Sequence, residues 1–522
     1  MPRMNVTRRS LLLAAPTVLA AVACSPVASR PTVNVRDHGA VGDGSRDDSA
    51  AITAAVGALA SGSVLHFPVG SYRFAELNPR AGAAVAIAGM SDVDVDFEPG
   101  AELLMDNVDQ RSNTGTSHGV LVRGPASNIS MRNVKIRWAR QPKRSMGDGI
   151  RVVGFASDGA VPSGWSGSPT PVSGISLSNC VIQSAPQAGV VMNGVSDITV
   201  SNLRSEHTKA DGLHFNACRR AKVSGHVAVD NGDDGLALVT YFADTPSFDS
   251  AAGTFAFPGL TEWSNADFAI ENVTVSGGRA NGVRVAGAQR VAIHGLTVSD
   301  KQFGAALMVD SSTAGYDVSW EYVSTRGLSV TGLTADDCET GVHVLARPPA
   351  AVDARFSDFS VDVGDARLTR CTNWAVRVES LSSQRVTGVS LGTCVIDSTS
   401  AAGGNGGVGL AGTTDVHMDH VTAEQSQPVT MFSALDTSRL TVGDLELTVT
   451  KPESAAEPLP CARFENTDGE IDVMAVRWPS APLSWTPVTI SEPTDCDPTS
   501  PALKVQTLTV EPSELAGRTG TC

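Results

Sequence analysis

Short β-type runs, each closed by a glycine or a polar residue, follow one another from about residue 130 to about residue 345. Asparagine or glycine recurs after one set of runs, at Asn133, Asn179, Asn202, Gly225, Asn272, Gly295 and Gly332. Glycine opens an apolar-x-apolar run in a second set, at Gly149, Gly189, Gly212, Gly235, Gly282, Gly304 and Gly341. Both sets contain steps of 23 residues and stay in phase with each other. This period predicts an all-β chain folded as a right-handed parallel β-helix, which is a solenoid of stacked turns.

The alternation within the runs predicts which side chains leave the core. In the run 213–215 the two apolar residues should point inward and His214 outward. The same argument places Arg151, Arg284 and His343 outward on one face of the coil. Asparagine or glycine in the first set suits a corner that needs a left-handed backbone or a ladder of side chains.

Three longer connections interrupt the period, at residues 154–173, 241–265 and 310–324. Each begins just after a strand of the second set, so all three should border the same face. They hold six of the chain's eleven tryptophans and tyrosines, namely Trp165, Tyr241, Trp263, Tyr316, Trp320 and Tyr322. These aromatic residues predict a cleft for the flat apolar faces of sugars, and packing of the loops onto the coil is the alternative.

The N-terminal and C-terminal ends of the predicted coil have different sequence patterns. Asp48 is placed to cap a helix with one apolar stripe, formed by Ile52, Ala55, Val56 and Leu59. We expect this helix to cover the open N-terminal end of the coil, and Val64–Phe67 to be the first strand. After about residue 440 the chain is rich in proline and loses the period. We therefore predict a catalytic β-helix domain over residues 24–440, followed by C-terminal rungs and a cap over residues 441–522.

The amino-acid composition supports this fold class, and the net charge limits the kinds of binding partner that are expected. The chain contains 50 glycines and 28 prolines, and only 18% of its residues are charged, which favours many turns and short strands. Arg8 and Arg9 precede an apolar stretch that ends at Ala23, a pattern that resembles a twin-arginine export signal peptide over residues 1–23. Removal of these residues deletes three arginines and no acid, so the formal charge changes from −16 to −19. A nucleic-acid partner is therefore not expected.

The position after the signal leaves two destinations open. Ala21-Val22-Ala23 before Cys24 fits ordinary signal cleavage, and it also resembles a lipobox in which Cys24 is lipidated. The protein is thus expected to be exported, either secreted or anchored to the membrane through Cys24. No later segment is long and apolar enough to cross a membrane. The other cysteines show no metal-ligand spacing, and Cys338 and Cys371 could either bridge neighbouring turns or remain buried thiols.

Two segments 23 residues apart, 209–215 and 232–238, place three aspartates together. Equivalent positions on neighbouring turns lie about 4.8 Å apart, so Asp211 and Asp234 should be adjacent, with Asp233 beside them. Like charges at that distance raise at least one pKa, which suits acid–base catalysis. Asp148 precedes Gly149 in the same way that Asp211 precedes Gly212, so an aspartate at this position can also be a simple corner residue. The doubled Asp233-Asp234, together with His214 and the aromatic loops, favours a catalytic cluster.

The N-terminal segments 35–44, 47–52 and 64–72 resemble the first module of the pectate lyase-like superfamily of β-helices. That superfamily includes hydrolases, lyases, epimerases and phage tail proteins, so the resemblance implies the fold more than the function. The aspartate turns resemble glycoside hydrolase family 28, the polygalacturonases and rhamnogalacturonases, which carry Asn-Thr-Asp and, one turn later, Gly- or Gln-Asp-Asp. Here the segments read Lys209-Ala210-Asp211 and Gly232-Asp233-Asp234.

This resemblance implies that Asp233 is the general acid and that Asp211 and Asp234 activate the water in an inverting hydrolysis. The family's Gly-His-Gly has no counterpart, because Ala280-Asn281-Gly282 stands there. Its Arg-Ile-Lys corresponds to Arg284-Val285-Ala286, which keeps the arginine and loses the lysine. With a net charge of −19, this favours a neutral or sparsely charged glycan over polygalacturonate.

We therefore predict an exported glycoside hydrolase that acts on a polysaccharide or oligosaccharide without a cofactor. Its expected substrate contacts are His214, Lys209, Arg284, Asn281, Tyr241 and Trp263. One alternative is a Ca²⁺-dependent polysaccharide lyase or epimerase, in which the same aspartates hold the cation and Arg284 or a lysine is the base. A second alternative is a surface protein that binds glycans without catalysis.

Overall fold

A computed structural model describes residues 30–156, 161–313, 320–347, 352–381, 383–397, 405–450, 458–491, 502–516 and 519–520. The export signal, Cys24 and Tyr316 lie outside the described residues. Within them the chain forms one long coil of parallel strands, which confirms the predicted β-helix.

Each turn of the coil contributes strands to three parallel sheets, here called sheet A, sheet B and sheet C. One turn runs through Val190–Asn193 in sheet A, Val195–Ser201 in sheet B and Arg204–Glu206 in sheet C. The next turn begins at Leu213–Asn216, which pairs in parallel with Val190–Asn193. Because each turn pairs only with its two neighbours, position in the sequence translates directly into position along the coil.

The strands of sheet A up to residue 380 are Ala83–Ala88, His118–Arg123, Ile150–Val153, Val190–Asn193, Leu213–Asn216, Leu236–Val239, Val283–Ala286, Ala305–Ser312, Thr340–Arg347 and Val376–Ser380. Sheet B begins with Thr32–Asn34, Val64–Phe67, Ser91–Phe97, Ala126–Arg132, Val172–Ser178, Val195–Ser201 and Arg219–Ser224. Sheet C begins with Asp43–Asp47, Ser71–Phe74, Glu102–Met105, Lys135–Trp138, Val181–Gln183, Arg204–Glu206 and Val227–Val229.

Later strands bend at the corners and pass from one sheet to the next. Those that run through sheets B and C are Ala266–Ser276, Gln289–Ser299, Arg326–Asp336, Asp358–Thr369, Val386–Asp397 and Leu503–Glu511. Those that cross all three sheets are Asn405–Gln425, Thr430–Val449 and Ala462–Arg477. Val488–Ser491 and Thr519–Gly520 return to sheet A. A small antiparallel pair, Val108–Asp109 with Thr114–Gly115, lies in a connection.

The asparagine and glycine set forms the predicted corner between sheets B and C. All seven residues have left-handed backbones, for example Asn179 with φ 53° and Gly225 with φ 65°. The asparagine amides also stack as a ladder, in which Asn202 Nδ2 donates to Asn179 Oδ1 at 3.0 Å. The polar step that punctuates the sequence is therefore a backbone requirement of the turn.

The second glycine set stands where turns of the coil approach most closely. A Cβ on Gly212 would lie 2.5 Å from the carbonyl oxygen of Gly235, which would force the two turns apart. The predicted position of one member, Gly304, is wrong. Val283 pairs with Leu307, so Ala306 is the partner of Gly282, and Gly304 is a left-handed residue just before the strand. The error arises because the connection before this strand is slightly longer than in the preceding turns, which shifts the column without changing the pattern.

The N-terminal helix Ser49–Gly57 is present and packs its apolar stripe inward, with Ile52 and Ala55 fully buried. The predicted capping role of Asp48 is wrong. Its carboxylate accepts hydrogen bonds from the backbone N–H groups of Val41 and Gly42, at 2.8 and 3.0 Å, and makes no cap bond. The coil also starts one strand earlier than predicted, because Thr32–Asn34 pairs with Val64–Phe67.

Three short 3-10 helices complete the secondary structure, at Val35–His38, Ala354–Phe356 and Ser513–Leu515. Parallel pairing continues in the described residues beyond residue 440, although the sequence period is lost there, since Ala462–Arg477 pairs with both of its neighbouring turns. The described prolines of this region, at positions 458, 460, 479, 482, 487 and 512, lie outside the strands, so they do not interrupt the pairing.

The core is a single column of buried apolar side chains that runs along the coil. Cys338 and Cys371 belong to it as buried free thiols, which decides between the two alternatives for this pair. Among the described residues, no helix has the length and apolar character needed to cross a membrane.

Candidate active site

Sheet A carries the outward column predicted from the sequence. The register places Arg151, His214, Arg284 and His343 in one row, with Val191, Ala237 and Met308 between them. The three long connections leave the coil directly after strands of this sheet. The second connection forms a small sheet of its own from Tyr241–Phe242, Ser247–Asp249 and Thr254–Phe257. Sheet A and these connections enclose a cleft of about 940 Å³.

The three aspartates meet as predicted. One carboxylate oxygen from each of Asp211, Asp233 and Asp234 can be chosen so that all three lie within 4.8 Å of one another. Asp234 is 3% exposed, whereas the side chain of Asp233 is 33% exposed. Asp211 lines the cleft together with His214 and Arg144. The cluster therefore has one buried member, Asp234, one member that lines the cleft, Asp211, and one partly exposed member, Asp233.

Two of the three aspartates also have a structural task, because they belong to a ladder that links successive turns. In this ladder a side-chain oxygen accepts the backbone N–H of the equivalent residue one turn later. The bonds are Asp148 Oδ1 with Ala188 at 3.0 Å, Asp211 Oδ1 with Asp234 at 3.0 Å, Asp234 Oδ1 with Asn281 at 3.0 Å and Asn281 Oδ1 with Ala305 at 2.9 Å. Asp233 is outside this column, and its carboxylate instead accepts a hydrogen bond from Arg144 Nη1 at 3.0 Å.

The ladder aspartates differ in the residue three positions later, which supplies a charged or ionisable partner for two of them but not for the third. Asp148 Oδ2 is paired with Arg151 Nη1 at 2.9 Å, and Asp211 Oδ2 is paired with His214 Nδ1 at 2.8 Å. The corresponding residue for Asp234 is Ala237, which is buried and uncharged. Asp234 therefore lacks the local cation that its two counterparts have.

Burial is the largest influence on the pKa values of Asp234 and Asp148, and the charged neighbours determine the direction of the net shift. Burial raises the pKa of Asp234 to about 7; the charge of Arg284 opposes this rise, and the charges of Asp211 and Asp233 add to it. Burial and the charge of Asp211 also raise the pKa of Asp233, against the effect of Arg144. Burial acts in the same sense on Asp148, but His118 and Arg151 hold the pKa of Asp148 below its usual range. The three-aspartate cluster can therefore hold a proton near neutral pH, whereas Asp148 stays ionised.

Of the predicted substrate contacts, His214 and Tyr241 line the cleft. Tyr241 packs against Trp320 on the opposite connection, with ring centroids 4.7 Å apart. Trp165 also faces the cleft while its ring stacks on Phe255 at 5.5 Å, so both explanations for the aromatic loops apply to it.

The other predicted contacts are absent from the cleft lining. Arg284 is bound in a fork by Asp310, at 3.0 and 2.6 Å, and Asn281 Nδ2 donates to Asp234 at 2.8 Å. Trp263 is buried in an aromatic cluster, with the Arg219 guanidinium 3.9 Å from its ring. Lys209 lies on the turn that leads to Asp211. Arg284 and Asn281 therefore influence the charge of Asp234 without lining the cleft, and Trp263 packs in the interior of its own loop.

Two polar residues near the cluster were not singled out from the sequence. Arg144 lies in the irregular connection before Ile150–Val153, where no period marks it. Lys301 is fully buried, and its ammonium has no hydrogen-bond partner within the part of the chain that the structure describes. Burial lowers the pKa of Lys301, and the charges of Asp234 and Asp233 oppose this. Three carboxylates could hold a metal ion, but these two cations already compensate part of their charge.

One family model matches the N-terminal module of the chain. Residues 32–79 match the family described as rhamnogalacturonase A/epimerase, pectate lyase-like, which confirms the resemblance of this module to the pectate lyase-like superfamily. A search of curated proteins gives no match.

Several solved β-helix structures align over most of the chain at low identity. A GH87 α-1,3-glucanase catalytic unit from Streptomyces thermodiastaticus is 17% identical, with 93% of this chain and 69% of that chain covered and a TM-score of 0.41. The A-module of the Azotobacter vinelandii mannuronan C-5 epimerase AlgE6 is 17% identical, with 94% and 99% covered and a TM-score of 0.45. A family 28 exopolygalacturonase from Yersinia enterocolitica is 11% identical, with 92% and 78% covered and a TM-score of 0.35.

Proposed function

We propose that this protein is a glycoside hydrolase that cleaves a polysaccharide or oligosaccharide with the three-aspartate cluster. The observation that carries the proposal is the raised pKa of two neighbouring carboxyls, Asp233 and Asp234, beside a third carboxyl in an aromatic-walled cleft. A glycosidase needs one protonated and one ionised carboxyl at the same pH, and crowding of the three groups provides both states.

Exposure decides which carboxyl donates the proton. Asp234 is the most buried of the three, and its Oδ1 already accepts two N–H groups of Asn281. Asp233 is the most exposed of the three, with 33% of its side chain exposed against 15% for Asp211. In the proposed reaction Asp233 protonates the glycosidic oxygen as the bond between that oxygen and the anomeric carbon breaks. Water forms the new bond to this carbon, keeps one hydrogen as the new hydroxyl and gives the other proton to the carboxylate of Asp211, which lines the cleft. Asp234 keeps its own proton below about pH 7, so the base role that the family resemblance implies for both residues is assigned to Asp211 alone.

The stereochemical course is a separate proposal. The family resemblance implies inversion, for which the two carboxyl groups usually lie about 6.5 to 9.5 Å apart. One oxygen from each carboxyl lies within 4.8 Å of one oxygen from each of the others, a shortest approach that does not choose between the inverting and the retaining course. The anomer of the first product, followed by proton NMR during the first minutes of reaction, decides between the two courses.

The activity is tested by product analysis on a panel of plant and microbial glycans, with and without a chelator. New reducing ends without unsaturated sugars, unaffected by chelation, are expected. Asp233→Asn should abolish them, because general acid catalysis contributes roughly 10² to 10⁴ in rate. Asp230→Asn, an exposed aspartate three residues earlier, is the matched control and should keep full activity. Activity that survives Asp233→Asn would refute the assigned role.

The second candidate, a Ca²⁺-dependent lyase or epimerase, is favoured by the three converging carboxylates alone. Its proposed base, Arg284, is fork-bound to Asp310, and this charge raises the pKa of Arg284 against the effect of its burial. Unsaturated products or epimerised sugars that disappear with chelator would establish this candidate. Glycan binding without turnover, unchanged in Asp233→Asn, would establish the non-catalytic surface protein.

We also propose that the protein is exported through the twin-arginine route, with Cys24 as the site of either cleavage or lipidation. The twin arginines and the residues around Cys24 support this proposal. Replacement of Arg8 and Arg9 by lysine should retain the precursor in the cytoplasm. Cys24→Ser should release the protein from the membrane fraction if Cys24 carries a lipid, and should change nothing if the protein is freely secreted.

A further inference from the structure

A second group of residues in the cleft, away from the aspartates, centres on Asn193. This asparagine ends the strand Val190–Asn193 of sheet A, is fully buried and lines the cleft. Neither its Oδ1 nor its Nδ2 has a hydrogen-bond partner among the described residues. A buried amide with both ends unpaired is costly, and in native proteins such groups normally meet a ligand or an ordered water.

The equivalent residue one turn later shows what a structural asparagine does at this position. Asn216 pairs in register with Asn193, and its amide is fully used. Its Nδ2 donates to the carbonyl oxygens of Val239 and Phe255, both at 3.1 Å, and its Oδ1 accepts the N–H of Phe255 at 2.7 Å. Asn216 thus ties the second connection to the coil, whereas the same side chain at Asn193 is left available.

The surroundings of Asn193 are suited to a sugar. Side chains alternate along a strand, so Asn193 shares the outward direction of Val191 and faces the cleft. Trp165 supplies an aromatic wall to the same cleft, and flat apolar sugar faces stack on such rings. Arg123 lies in the same column two turns earlier, is exposed, and has no ion pair among the described residues.

The position of Asn193 along the cleft separates it from the chemistry. Asn193 corresponds in register to Asn216, five residues after Asp211. At the rise of a β-strand this separation is on the order of 15 Å, measured along sheet A and one turn towards the N-terminus. A single sugar ring cannot contact both places, so one substrate would have to be an extended chain.

We propose that Asn193, together with Trp165 and Arg123, forms a remote sugar-binding subsite that holds a unit several positions from the cleaved bond. The carboxamide would donate to one ring hydroxyl and accept from its neighbour, and Trp165 would cover the apolar face. The inference rests on the proposed function and adds to it a preference for chains of several sugar units over short oligosaccharides.

The test uses Asn193→Leu, which keeps the branched shape and the number of side-chain heavy atoms but removes both hydrogen-bonding ends, on a series of oligosaccharides of increasing length from the glycan that the wild type cleaves. We expect the wild-type kcat/KM to rise with length until the subsite is filled. For long chains the variant should lose roughly tenfold, mainly through KM, the effect of one or two hydrogen bonds. Short substrates should show no difference. An equal loss on short and long chains, or no loss, overturns the inference.

Two further measurements separate this inference from the proposed function. Binding of the same oligosaccharides to the Asp233→Asn protein is measured by calorimetry with and without Asn193→Leu, so that the subsite is assayed even where turnover fails. Length-dependent weakening by Asn193→Leu without any hydrolysis supports the subsite and refutes the hydrolase. Thermal unfolding is the second readout, because Asn193→Leu should keep or raise Tm, whereas Asn216→Leu should lower it. A lowered Tm for Asn193→Leu, or no binding of any oligosaccharide, overturns the subsite.

Discussion

Replacement of Asp234 by asparagine should stabilise the protein at neutral and alkaline pH. The carboxyl of Asp234 is buried beside two other aspartates, and burial raises its pKa from 3.8 to about 7. Asparagine has the same shape and can keep the turn-to-turn hydrogen bond, since Asn281 makes that bond with its own Oδ1 one turn later. The substitution therefore removes the charge and little else.

The sign follows from proton linkage. Between pH 4 and pH 7 the folded protein keeps a proton on Asp234 that the unfolded chain has released, so wild-type stability falls as the pH rises through this window. The cost is absent below pH 4 and complete above pH 7. About three pKa units at 1.36 kcal/mol each give a cost on the order of 4 kcal/mol, shared with the coupled charges of Asp211 and Asp233.

The assay is urea unfolding of wild type and Asp234→Asn at several pH values from 4 to 8. We expect similar stability near pH 4 and a growing advantage of the variant towards pH 8. Asp148→Asn is the matched control of opposite sign, because the pKa of Asp148 is lowered by His118 and Arg151, and its loss should destabilise the protein at pH 7. If Asp234→Asn is less stable than wild type at pH 8, or shows the same pH slope, the assigned state of the cluster is wrong.

Three further predictions concern residues around the site and the corners. Arg144→Gln removes the cation that lowers the pKa of Asp233, so the alkaline limb of the kcat/KM profile should move to higher pH, and an unchanged limb would contradict the pairing. Asn281→Ala removes a hydrogen bond that lowers the pKa of Asp234, and should therefore reduce activity. The same substitution leaves the N–H of Ala305 without its acceptor, so urea unfolding should show a loss of about 1 to 3 kcal/mol of stability. Asn202→Ala should cost about 1 to 2 kcal/mol of folding stability, because φ is 52° at this position. Asn202→Gly should be tolerated, since Gly225 stands at the equivalent corner one turn later. Equal losses in Tm for the two variants would argue against backbone strain.

Much of the fold could be predicted because a solenoid is built from local repetition. Each turn contacts only its neighbours, so the columns of Asn and Gly residues translate directly into register. The same logic predicts that Asp211 and Asp234 are adjacent, since residues 23 positions apart are equivalent on consecutive turns. Where the turn length changes, as before Ala306, the prediction slips by two residues.

The sequence by itself therefore determined the coil, its outward row and the meeting of the three aspartates. Only the tertiary structure decided what surrounds them. Arg144 reaches Asp233 from 89 residues away, out of a connection that has no period. The packing of Trp263 into its loop and the unpaired amide of Asn193 are likewise set by how irregular segments fold back onto sheet A. Such contacts depend on the full three-dimensional path of the chain, and no repeat in the sequence encodes that path.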